Sequence, residues 1–184
     1  MFKKVFIITA IVLVALLLFL NWFRKDTLKH SPPALATYQQ NDLSITINYC
    51  RPFAKSRVIF GDEEAEALQP YGKYWRMGAN EATTIELNKR VQFNDKTLEP
   101  GKYSMYAYPG RDSWTICVNT DNDRWGARES DKDKDVFRTL VAAANDAPYE
   151  EQFLITFDPA DSAGCTSMNL HWDKTLVKVP IKKI

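Results

Sequence analysis

The 184-residue chain shows almost no excess of either charge, with 24 Lys and Arg against 23 Asp and Glu. A nucleic-acid binder carries a basic surplus, so nucleic acid is not an expected partner. Histidine is scarce: His30 and His171 are the only two. A zinc site or a histidine-based triad in the C-terminal part would rest on His171 alone, and its alternation with Leu170 and Trp172 places it on the polar face of a strand. The seven glycines form neither a GxGxxG nor a Walker A run, and GxSxG and HExxH are missing too. The common nucleotide and hydrolase signatures are thereby absent, and no cofactor or metal is expected. Cysteine is limited to Cys50, Cys117 and Cys165, without a CxxC pair, which allows at most one intramolecular disulfide. Cys50 and Cys117 read as small buried strand residues. The carboxylates Asp121, Asp123, Asp131, Asp133 and Asp135 invite a calcium-loop reading that fails in register. Counted from Asp121, Gly126 meets the glycine position, but Trp125 takes a ligand position and Lys132 stands where a bidentate Glu belongs. Interleaved Arg124, Arg128, Lys132 and Lys134 make this a solvated loop.

What the chain does have is one long apolar run. Val5 to Phe23 contains 19 residues with only Thr9 and Asn21 polar, flanked by Lys3 and Lys4 before it and Arg24 and Lys25 after it. As a helix it spans about 28 Å, the thickness of a bilayer core. Apolar on every side, it suits lipid better than a protein core. A cleaved signal peptide is the alternative, but it calls for a shorter run with small residues close behind, and the triplet Ala34-Leu35-Ala36 lies far downstream. Residues 1–23 are therefore read as a single-pass signal anchor in a bacterial cell membrane. Flanking charge does not fix the orientation; the short basic tail is how an uncleaved signal anchor begins, with the C-terminal part facing the periplasm or cell exterior. Residues 24–40 mix charge with Pro32-Pro33 and read as a linker. The domain is expected over 41–184, where 19 basic residues face 22 acidic ones.

Within that domain, alternation with period two recurs. Leu43, Ile45, Ile47 and Tyr49 share one face; Ile85 with Leu87, then Met105 with Ala107, then Trp114, Ile116 and Val118 follow. Phe153, Ile155 and Phe157 form another set, then Met168, Leu170 and Trp172, and finally Val177, Val179 and Ile181. Asp62 to Leu68 reads as a short helix. Val136 to Ala144 fits a helical face and a strand equally. Many short strands between turn signals predict an all-β fold, an antiparallel β-sandwich of jelly-roll-like kind, preceded by a single N-terminal transmembrane helix.

One stretch gathers polar chemistry with aromatics. Pro70 to Thr83, PYGKYWRMGANEAT, sets Trp75, Arg76, Asn80 and Glu81 in a loop between two glycines and a strand. Upstream, Arg51 ends the first strand, held extended by Pro52, and Arg57 follows at the head of RVIFG. Two readings stand. Arg51, Arg76, Asn80 and Glu81, with Trp75 beside them, form a ligand site; or they brace one another, with Asn80 at a positive-φ position and Trp75 in the core.

These residues also carry a resemblance. The order Ser31-Pro32-Pro33, YxRP, RxIFG, PYGxxWRxGANEAT, PGKYS and Asp135-Val136-Phe137-Arg138 resembles a family of bacterial extracytoplasmic proteins known only as a domain of unknown function, over about Ser31 to Ile184. The resemblance implies an exported β-sandwich and favours the strand for Val136 to Ala144. It implies no activity. The chain departs from the family's usual pattern at Cys50, at Ser56, where a glycine is common, and in the extra residues before Pro70-Tyr71-Gly72.

Two function classes follow. As a binding module, the domain holds a polar or anionic ligand, a glycan or a peptide carboxylate, through arginine forks and aromatic surface. As a cofactor-independent enzyme, it uses Glu81 as acid or base beside an arginine, which requires a second carboxylate or His171 close to Glu81. A structural partner of envelope proteins would instead need an exposed apolar patch. The binding module is the expectation, with no catalytic residue assigned.

Overall fold

The computed structural model describes residues 2–124, 126 and 128–184, without the side chains of residues 2–4, 23 and 24. Trp125, invoked in the calcium-loop register, lies outside the described residues. The chain opens with helix α1 (Phe2–His30), whose apolar side chains from Val5 to Leu20 are all exposed and find no protein to cover them. A segment that long, apolar and uncovered is a candidate to cross a membrane.

Thirteen strands follow among the described residues: β1 (Pro33–Gln40), β2 (Leu43–Cys50), β3 (Phe60–Gly61), β4 (Gln69–Pro70), β5 (Thr83–Leu87), β6 (Val91–Phe93), β7 (Lys96–Leu98), β8 (Gly101–Tyr108), β9 (Ser113–Asn119), β10 (Asp135–Ala144), β11 (Glu150–Phe157), β12 (Cys165–Asp173) and β13 (Thr175–Lys183). Antiparallel pairing runs in the order β1-β2-β5-β8-β9-β10-β13-β12-β11, and the β6-β7 hairpin joins through β13. Strand β10 links the two layers. It pairs with β9 from Asp135 to Ala142, then passes to β13 at Ala143 and Ala144. The fold is the all-β, antiparallel sandwich behind one apolar helix that the alternation predicts.

The inward sets are the expected ones. Ile45 and Ile47, Trp114, Ile116 and Val118, Met168, Leu170 and Trp172, and Val177, Val179 and Ile181 are all buried. Strand β10 resolves the ambiguity at Val136 to Ala144. Thr139 and Val141 turn inward while Leu140 stays 65% exposed, an alternation that a helix with Phe137 and Leu140 on one face would not give. Between the layers Phe60, Trp75, Trp114, Phe153 and Trp172 meet at centroid distances of 4.7–6.0 Å. Their large buried area dominates the core.

Two expectations are corrected. Residues 24–40 are not a linker: α1 continues to His30, and residues 33–40 are strand β1, paired with β2 from Pro33↔Cys50 to Gln40↔Leu43. Pro33 needs no ladder donor at the first strand position, and Asn41, at φ 52°, closes a two-residue hairpin turn. The helix foreseen at Asp62 to Leu68 is a single 3₁₀ turn, Glu63–Ala65, closed by Glu66 in the left-handed region at φ 52°. All three cysteines are free, and Cys50 and Cys117 are buried on their strands as expected.

Candidate functional site

The loop between β4 and β5 is held at both ends. Gly72, at φ 73°, makes the first turn, with Lys73 N–H donating to Pro70 at 3.2 Å. Trp75 then exchanges both backbone hydrogen bonds with Ala107 of β8, each 2.8 Å, which drives its indole into the aromatic core. Beyond it three residues in a short span have positive φ, namely Met77 (55°), Gly78 (151°) and Asn80 (58°). Gly78 is required sterically as well, since a Cβ there would stand 2.8 Å from the Cys50 carbonyl oxygen. The reversal is locked by the Thr83 hydroxyl, which donates to the Met77 carbonyl at 2.7 Å.

The five site residues of the sequence reading are distributed as follows. Trp75 is 2% exposed and presents no face to solvent; it belongs to the core, because its backbone bridge to β8 points the ring inward. Asn80 adopts the foreseen positive φ, donates from Nδ2 to Ser31 (3.2 Å), and its carbonyl accepts from Arg76 Nη1 (3.4 Å) and Gly126 N (3.1 Å). Glu81 accepts from the Cys50 thiol at 3.7 Å, and burial pushes that thiol's pKa up. Arg51 turns away from this loop: its Nε donates to the Phe153 carbonyl at 3.0 Å, and Gln152 Nε2 donates to the Arg51 carbonyl at 2.9 Å. Arg76 and Asn80 are thus joined directly, whereas Arg51 and Glu81 face different cavities. Glu81 lines one of about 190 Å³ with Cys50, and Arg51 lines one of about 330 Å³ along the seam between β1 and β11.

A third cavity, about 280 Å³, brings together Arg76 with Lys55, Arg57 and His30. Its second wall is a tight turn. Arg57 N–H donates to the Ala54 carbonyl at 3.1 Å across Lys55 (φ 51°) and Ser56 (φ 58°), a pair of left-handed residues that defines a type I′ turn. The Arg57 guanidinium folds back on the turn, donating from Nε to Ala54 (3.0 Å) and from Nη2 to Phe53 (2.6 Å). No carboxylate lines this cavity, and among the described residues Lys55, Arg57 and Arg76 form no ion pair. Trp172 borders it too, and this buried indole N–H has no hydrogen-bond partner. The same holds for the indoles of Trp75 and Trp114, so this is a property of the aromatic core, and the donors that face the cavity are those of the cations.

A family profile described as "Protein of unknown function (DUF2911)" matches residues 31–181. The chain belongs to the DUF2911 family. No curated protein and no solved structure matches it. The matched stretch begins where β1 does, so β1 is part of the DUF2911 domain and α1 precedes it.

Sequence reasoning missed Lys55, His30 and Trp172 as cavity residues and Gly126 as a buttress. A Cβ on Gly126 would stand 2.5 Å from the Asn80 carbonyl oxygen and 2.9 Å from Arg76 Cδ, so this glycine lets the distal loop press against the Arg76–Glu81 segment. Only the third arginine, Arg57, carried a signal, as a cation at the head of RVIFG. Among the described residues no cluster of three or more His, Cys, Asp or Glu could hold a metal.

Proposed function

We propose that this protein is a membrane-anchored binding module whose exported domain holds an anionic ligand between Arg57 and Arg76, with residues 5–23 as the single-pass anchor. One observation carries the reading: a cavity of about 280 Å³ lined by Lys55, Arg57, Arg76 and His30 with no lining carboxylate. Three cations around one concavity, none of them in an ion pair among the described residues, repel each other, and an anion in their midst relieves that repulsion while taking charge-assisted hydrogen bonds from the guanidinium N–H groups. The Arg76 side chain is half-buried and its one protein bond is long, 3.4 Å, which leaves guanidinium N–H groups for a ligand. The cavity is small, which suits a compact anionic group better than an extended glycan.

The acid–base alternative places its chemistry at Glu81. Beside Glu81 the neighbouring cavity contains no second carboxylate and no histidine among its described lining, and His171 lies elsewhere, with Nε2 2.8 Å from the Pro148 carbonyl oxygen. Binding is the better supported reading.

Arg76→Lys tests it, because Lys keeps the charge and loses the planar fork. In a thermal-unfolding screen of small oxyanions with the full chain in neutral detergent, at least one anion raises the wild-type midpoint, and the shift shrinks in the variant while its ligand-free midpoint stays close to wild type. If no anion moves the wild-type midpoint, the binding reading is wrong. If the variant loses stability without ligand, Arg76 is a brace.

A further inference from the structure

We infer that the Arg57–Arg76 cavity takes a phosphate ester group presented at the membrane surface. The inference rests on the anion-binding reading and adds the chemical class of the ligand and its source. The class follows from charge and shape. Lys55, Arg57 and Arg76 together supply three full positive charges, more than a single carboxylate neutralises and a match for the doubly charged, three-oxygen face of a phosphate monoester. The Arg76 fork, the Arg57 N–H groups left over from its bonds to Ala54 and Phe53, and an ammonium also address separate oxygens, which a planar two-oxygen carboxylate cannot offer. Phe53, Leu68 and Trp172 form an apolar wall against which the esterified part packs.

The source follows from where the cavity sits on the chain. His30, the last residue of α1, and Ser31 both line it. From Phe23, where the apolar run ends, to His30 the helix rises about 10 Å at about 1.5 Å per residue. The headgroup layer on one side of a bilayer is about 5–7 Å thick, so the cavity stands at its outer margin. Lys25 on the same last turns attracts anionic lipid to that margin, while Lys29 is paired with Asp26 at 3.3 Å. Two acids stand close by: Asp26, 3.9 Å from the lining His30, and Glu151. The Glu151 carboxylate is occupied by Lys55 N–H at 2.9 Å and by the Tyr149 hydroxyl, and these bonds, the hydroxyl foremost, hold its pKa below the usual range. Glu151 therefore stays charged outside the cavity lining; its charge acts on Arg57 and Lys55 without forming an ion pair with either.

The experiment uses the full chain in neutral detergent micelles, with four probes: sodium acetate, inorganic phosphate, micelles doped with phosphatidic acid and micelles doped with phosphatidylcholine. Thermal midpoints and lipid retention by native mass spectrometry are read for wild type, Arg76→Lys and Lys55→Gln. Lys55 is exposed and its ammonium makes no hydrogen bond or ion pair among the described residues, so Lys55→Gln leaves the turn intact and serves if Arg76→Lys does not fold. Phosphatidic acid is expected to raise the wild-type midpoint most, inorganic phosphate less, and acetate and phosphatidylcholine not at all. Lys55→Gln should weaken phosphatidic acid binding by about tenfold, the equivalent of one lost charged contact. Equal stabilisation by inorganic phosphate and phosphatidic acid overturns the membrane source and leaves a soluble phosphate ligand. Stabilisation by acetate alone overturns the phosphate class while anion binding stands. Silence from every probe removes both the inference and the function beneath it. Phosphatidic acid binding unchanged in both variants places the lipid on the Lys25–Lys29 flank instead, and the cavity loses its ligand.

Discussion

Ser56 and Cys117 show how single residues set the local balance. Ser56 holds φ 58° in the turn that carries Lys55 and Arg57, a conformation that costs a residue with a Cβ about 1–2 kcal/mol and glycine almost nothing. A glycine at this position would avoid that cost. Ser56→Gly is expected to stabilise the domain by roughly 0.5–1 kcal/mol after the larger chain entropy of glycine is counted, measured by urea unfolding; a loss of stability would mean that the serine hydroxyl has a role the turn geometry does not require. Cys117 is fully buried beside Tyr106, whose hydroxyl donates to Asp135 at 2.7 and 2.8 Å. Burial pushes the Cys117 thiol from 9.0 up to about 11, and burial with the Asp135 carboxylate pushes Tyr106 up as well. The native state thus holds these protons more tightly than the unfolded chain. Stability is unaffected below the unfolded thiol value of 9.0 and falls as pH rises from there towards about 11. One such thiol contributes a slope of at most about 1.4 kcal/mol per pH unit, and Cys117→Ala should flatten the decline in that window. An identical alkaline profile in the variant would remove Cys117 from the account.

At the scale of elements, β1 carries the most consequence. It is paired along its whole length with β2 and buries Ala36, yet its sequence, PALATYQQ, has the proline, small residues and glutamines of a linker. A fragment beginning at Asn41 lacks eight cross-strand pairs, worth on the order of 4 kcal/mol at about 0.5 kcal/mol each, and exposes the flank of β2. Its melting transition, followed by circular dichroism, is expected to be lower and broader than that of a fragment beginning at Ser31; equal midpoints would show β1 to be dispensable. The contrast with β2, β12 and β13 explains what the sequence discloses. Those strands have one wet face and one dry face, so a period of two marks them directly. Strand β1 is an edge with a single fully buried side chain, and its conformation is imposed by the partner strand, which composition does not reveal. The same limit applies to the site. The positive φ of Asn80 and the burial of Trp75 were both legible as local features of the WRMGAN stretch. A convergence of Arg51, Arg57 and Arg76 is also suggested by the motifs, but which of them meet is not, because they lie on separate segments that only the packed sandwich arranges: Arg57 and Arg76 share one cavity and Arg51 lines another.

For the whole molecule, the question is whether α1 stays attached, and the strand register bears on it. The one small-residue triplet suited to a signal peptidase, Ala34-Leu35-Ala36, lies inside β1, paired with Tyr49, Asn48 and Ile47. Cleavage after Ala36 would divide β1, remove its one fully buried side chain, and strip His30 and Ser31 from the wall of the Arg57–Arg76 cavity. A domain that needs those residues for its fold and its cavity is served by an intact anchor. The apolar run also extends well past the length of an ordinary signal-peptide core, with Trp22 and Phe23 at the level of the bilayer interface. The protein is therefore expected in the membrane fraction, released by detergent and not by salt, with a mature N-terminus at Met1 or Phe2 by mass spectrometry. Recovery of a soluble protein that begins at Thr37 would sink the anchor and, with it, the membrane source of the phosphate group. Anion binding would then have to be tested again on a domain without the first half of β1, where the cavity wall contributed by His30 and Ser31 no longer exists.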